Sequence, residues 1–133
     1  MDFDFTDDQE SLRDAVRKWV DKGYDFERRR AITREGGFSR DAYGELAGLG
    51  LTGLYIPEDD SGLGMGPVEG MVVMEELGRG IVLEPFAQTL IASALLSGYA
   101  PEAQRVIGVR HQFCCGAMHH TLRASQKLGE FGL

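Results

Sequence analysis

Cysteine, proline and positive charge are all scarce in this chain. Its 133 residues hold two cysteines, four prolines and 14 Lys or Arg against 21 Asp or Glu, a formal net charge of −7. The cysteines are adjacent, Cys114 and Cys115. Thiols stay reduced in a cytosolic chain, so no disulfide is expected. The shortage of cations argues against a nucleic-acid surface, which needs clustered Lys and Arg. The densest basic run, Arg28-Arg29-Arg30 with Arg34 after it, is interleaved with Asp25, Glu27 and Glu35. It reads as a solvated helix face. No apolar run approaches the roughly 18 residues of a membrane span. The opening Met1-Asp2-Phe3-Asp4-Phe5 is acidic and lacks the basic start and apolar stretch of a signal peptide. The expected compartment is therefore cytoplasmic, with neither membrane nor nucleic acid as a partner.

What the chain does contain is a succession of helix signals. Thr6 is a suitable N-cap, and Gln9 sits three residues later as a capping box requires. Asp7, Asp8 and Glu10 lie in the first turn, where the helix dipole favours negative charge. Leu12, Ala15, Val16, Trp19 and Val20 recur at spacings of three and four, which predicts one buried stripe ending near Gly23. A more polar helix is expected over 24–34, with Phe26 as its apolar anchor and Gly36-Gly37 closing it. Ser39 can cap a third helix whose apolar face is Tyr43, Leu46 and Ala47.

Leu51-Thr52-Gly53-Leu54-Tyr55-Ile56-Pro57 reads as an extended segment or tight bend, and residues 58–66 as a loop of turn formers. Pro67 suits the first position of a helix carrying Val68, Met71, Val72, Glu75 and Leu77. Glu84-Pro85 opens another helix, with Phe86, Leu90, Ile91, Ala94 and Leu95 giving it a wide apolar side. Such a helix should be buried on several sides. Pro101 begins what reads as one more. The expectation is an all-α bundle of five to six helices with no sheet.

Three sets of residues invite a chemical reading. Gly62, Gly64 and Gly66 precede a helix, as in a dinucleotide-binding turn, but the third glycine of G-x-G-x-x-G would fall on Pro67. Asp59 and Asp60 would repel a pyrophosphate, so the loop reads as a structural turn. Glu75 and Glu76 resemble paired carboxylates, yet neighbours on a helix diverge by about 100° and cannot share a substrate. They read as structural, and no catalytic residue is assigned. His111, Cys114, Cys115, His119 and His120 cluster near the C-terminus. Adjacent cysteines do not offer the two separated pairs of a closed zinc site, so no metal is expected.

Residues 50–58 read Gly-Leu-Thr-Gly-Leu-Tyr-Ile-Pro-Glu, followed by an acidic loop, Ser61-Gly62-Leu63-Gly64, and Val73-Met74-Glu75-Glu76-Leu77-Gly78-Arg79. With the opening Asp4-Phe5-Thr6-Asp7-Asp8-Gln9, this ordered set resembles the acyl-CoA dehydrogenase family. The departure is Asp59-Asp60-Ser61, where the family has an acidic-aromatic-glycine run. The resemblance covers residues 3–105 and implies the family's N-terminal helical domain.

Members remove two hydrogens from Cα and Cβ of an acyl-CoA thioester, in fatty-acid or related metabolism. A glutamate takes the α-proton and FAD accepts the β-hydride. The resemblance places that glutamate beyond residue 133, and most of the flavin site in a β-domain and a C-terminal bundle. This chain alone is therefore expected to be inactive and to bind no FAD stably. The resemblance also implies that a helix after the Glu-Glu-Leu motif lines the far end of the acyl pocket. Phe86, Leu90 and Ala94, at i, i+4 and i+8, are the candidates for that wall, although such a stripe also fits plain core. The second reading is a non-catalytic helical module that docks on a partner chain or self-associates.

The resemblance stops at Val106. Residues 1–104 carry 20 of the 21 acidic but only 10 of the 14 basic side chains, and all three histidines follow. The sequence thus divides into a helical domain, 1–105, and an atypical tail, 106–133, that reads as the product of a shifted frame or truncated gene.

Overall fold

A computed structural model describes residues 4–101. They form five α-helices and no strand: α1 Asp7–Gly23, α2 Phe26–Arg34, α3 Arg40–Gly48, α4 Pro67–Arg79 and α5 Phe86–Tyr99. Two single 3-10 turns, Leu51–Gly53 and Glu58–Asp60, lie between α3 and α4. The tail 106–133, its histidines and cysteines, and the helix expected from Pro101 lie outside the described residues, apart from Pro101 itself.

The helix starts follow their caps. Gln9 N–H donates to Thr6 Oγ1 at 3.3 Å and Thr6 N–H donates back to Gln9 Oε1 at 3.0 Å, a complete capping box on α1. Asp25 accepts from Arg28 N–H at 2.8 Å on α2, and Ser39 accepts from Ala42 N–H at 3.2 Å on α3. Pro67 opens α4 at its first turn. Glu69 there accepts the Gly66 N–H at 2.9 Å and the Gln9 side-chain amide at 2.8 Å, joining the starts of α1 and α4.

The core forms where α1 packs along α4 and both meet the 3-10 turn and α5. Val16, Val20, Leu46, Leu51, Leu54, Val73, Leu77, Phe86 and Leu90 make it continuous. A smaller cluster of Tyr24, Ile32 and Ala42 closes one end, with Trp19 bridging the two.

Several expectations change in detail. In α1 only Val16 and Val20 are buried, Leu12 and Trp19 are partly so, and Ala15 is exposed. The anchor of α2 is Ile32, because Phe26 is 62% exposed and lies beneath the Arg29 guanidinium. Helix α2 starts at Phe26, two residues later than expected, because Asp25 serves as its cap and Tyr24 turns into the core. In α3 Ala42 joins Tyr43 and Leu46 in the core, and Ala47 is half-buried.

The α4 face is turned: Val72, Val73, Glu76 and Leu77 are buried, whereas Val68, Met71 and Glu75 face solvent. The 51–57 segment is the tight bend, wound as a 3-10 turn that buries Leu51, Leu54 and Ile56. Helix α5 is not buried on several sides. Its inner face is Phe86, Thr89, Leu90 and Ser93, while Ile91, Leu95 and Tyr99 are 62%, 55% and 85% exposed.

Candidate functional site

Glu76, half of the apparent carboxylate pair, sits in the interior of the α1–α4 contact and is 2% exposed. Arg17 of α1 donates to its Oε1 from Nη2 at 2.6 Å and from Nε at 3.2 Å. Arg79 donates to its Oε2 at 2.8 Å and reaches Asp21 at 2.8 Å. The Arg17 hydrogen bond leads in holding the carboxyl below its ordinary range, against the opposing effect of burial. A carboxylate fixed by two guanidiniums is a poor proton acceptor, so its role is to join two helices. Glu75 is exposed and, among the described residues, meets Arg13 at 3.5 Å. The two carboxylates do diverge, as their adjacency on a helix requires.

A second buried carboxylate, Glu84, carried no signal in the sequence beyond standing before Pro85. Tyr24 Oη donates to Glu84 Oε2 at 2.7 Å, and Ser39 N–H donates to Oε1 at 3.3 Å. Tyr24 Oη also accepts from Leu83 N–H at 3.1 Å. Burial, above all, pushes the Tyr24 phenol up to about 12, so it remains a donor at neutral pH. This group ties the end of α1, the start of α3 and the entry to α5. The basic run is likewise structural in two of its three members. Arg28 grips Glu45 at 2.8 and 3.1 Å and the Gly23 carbonyl at 2.6 Å, while Arg29 donates to the Gly80 carbonyl at 2.6 Å.

From Ser61 to Gly66 the glycine loop has no backbone N–H to spare for a phosphate. The N–H groups of Ser61, Gly62, Leu63, Gly64 and Met65 all bond to backbone carbonyls between Gly53 and Glu58, and Gly66 N–H is taken by Glu69. A side chain at Gly62 would collide with the Ile56 carbonyl, which explains glycine there. Among the described residues no group of three His, Cys, Asp or Glu is placed to hold a metal ion. No described helix is long and apolar enough to cross a membrane.

What remains is α5, a helix without a charged residue. The proposed stripe divides: Phe86 and Leu90 are buried in the domain's own core, and Ala94 is exposed. On the buried side, Tyr43 Oη and Thr89 Oγ1 bond at 2.9 Å, and Ser93 Oγ donates to the Thr52 and Thr89 carbonyls at 3.2 and 2.8 Å. Sequence periodicity missed these hydroxyls, because they occupy inward positions that apolar residues usually fill. The outward face, Ile91, Leu95 and Tyr99, repeats at intervals of four.

Residues 6–107 match the family described as acyl-CoA dehydrogenase, N-terminal domain. The chain belongs to the acyl-CoA dehydrogenase family. It is 35% identical over 102 residues to acyl-CoA dehydrogenase FadE34 of Mycobacterium tuberculosis, covering 69% of this chain and 14% of that protein. Benzylmalonyl-CoA dehydrogenase of Aromatoleum aromaticum is 32% identical over 80 residues, 60% of this chain and 21% of the relative. Acryloyl-CoA reductase (NADH) of Anaerotignum propionicum is 28% identical over 114 residues, 84% and 27% respectively. The chain thus spans about a seventh to a quarter of the length of the curated relatives it matches. No solved structure matches it.

In this acyl-CoA dehydrogenase domain, the glycine loop and the start of α4 give the diphosphate of the FAD that the family implies no backbone cradle. The loop N–H groups are spent, the start of α4 is closed by Glu69, and Arg17, Arg28, Arg29 and Arg79 are bound to carboxylates or carbonyls. A flavin diphosphate would need free donors or cations, which this loop and these four arginines do not offer.

Proposed function

We propose that this chain is the N-terminal helical domain of an FAD-dependent enzyme of α,β-dehydrogenation of acyl-CoA thioesters, and that it is inactive alone. The observation that carries this reading is the family match over residues 6–107, in a chain whose described carboxylates are paired, capping or exposed. FAD bound in the intact enzyme would supply the acceptor for the substrate's β-hydrogen. Within this chain, α5 supplies part of the wall at the far end of the acyl pocket. Phe86 and Leu90 back that wall from the core, and Ala94 stands at its surface. The setting is cytoplasmic fatty-acid or related acyl-CoA metabolism. One relative is a reductase and two are dehydrogenases. The same framework therefore accompanies either direction of the reaction.

The second reading is a helical module that docks on a companion chain supplying the β-domain. The uncharged outer face of α5, with Ile91, Leu95 and Tyr99 in solvent, favours it.

The test is a dye-reduction assay of the purified chain with acyl-CoA thioesters of several lengths and added FAD. No turnover is expected. A rate of about 1 per second or more, ordinary for an enzyme, would overturn the reading.

A further inference from the structure

We draw no further inference here: the strongest candidate, the uncharged outer face of α5 formed by Ile91, Leu95 and Tyr99, belongs to the surface already assigned above, and nothing among the described residues shows what else would cover it.

Discussion

Glu76 shows how one residue decides between a catalytic and a structural reading. Two adjacent glutamates on a helix suggest acid–base chemistry only while their partners are unknown. With Arg17 and Arg79 both bonded to it, Glu76 is lowered from its ordinary range, as are Glu45, held first by Arg28, and Glu69, held first by the Gln9 amide. A carboxyl lowered in the folded state stabilises the fold above its unfolded value, about 4.3, and that stability is lost as pH falls through the lowered folded value. The melting temperature should therefore hold from pH 7 to about 5 and drop below that. Glu76→Gln should melt below the parent at pH 7, and the gap should close as the medium is acidified. A gap of constant size from pH 7 to pH 3 would remove the charge from the explanation.

Trp19 is the chain's single tryptophan and is more constrained than its partial burial suggests. Its indole N–H donates to Glu45 at 2.7 Å, and its ring lies 5.3 Å from that of Tyr24. Full burial would make Trp19→Ala cost about 3–5 kcal/mol. Partial burial lowers the transfer contribution, while the hydrogen bond and ring contact each add about 1 kcal/mol. The expected loss is about 2–3 kcal/mol, read as a shift in the urea midpoint. Unchanged stability would show that the ring does not join the two core clusters.

At the scale of elements, what was legible followed from local rules. Thr6, Asp25, Ser39 and Pro67 mark helix starts through interactions within three residues, so the starts of α1, α3 and α4 could be read directly. Which face of a helix turns inward depends on its neighbours, and there periodicity was a weaker guide. On α4, Glu76 is inside because Arg17 reaches it from α1. Phe26 is outside because Tyr24 and Ile32 already fill the space beneath α2.

Helix α5 is the sharpest case. Its low amphipathicity in sequence hides an inward side of mixed polarity, Phe86, Thr89, Leu90 and Ser93, behind an equally apolar outer one. The two sides should respond differently to mutation. Leu90→Ala, which opens a cavity in the main core, should cost about 2–5 kcal/mol. Ile91→Ser and Leu95→Ser, on the outer face, should each change stability by about 0.5 kcal/mol or less. Urea unfolding of the three variants measures this, and equal losses on both sides would mean that the helix is turned otherwise. For the site, the sequence could suggest α5 but could not separate Phe86 and Leu90 in the core from Ala94 at the surface.

At the scale of the whole molecule, the described residues leave a helix face that water does not suit. Each large apolar side chain left exposed forgoes roughly 1.5–3 kcal/mol of burial. Ile91, Leu95 and Tyr99 align on one uncharged helix, so their exposure forms a strip and not scattered spots. On the proposed reading the rest of an acyl-CoA dehydrogenase covers this strip, and the isolated chain lacks that cover. The net charge of −7 opposes close approach of two copies at low salt, and screening relieves that repulsion. The isolated chain should therefore self-associate more as concentration and salt rise. The Ile91→Ser/Leu95→Ser double variant should sediment as a monomer under the same conditions. Sedimentation velocity across a concentration series at two ionic strengths reads both, and a dye that fluoresces on apolar surfaces reports the strip itself. A parent chain that stays monomeric throughout, and binds the dye no better than the double variant, would show that the outer face of α5 is already covered within the chain.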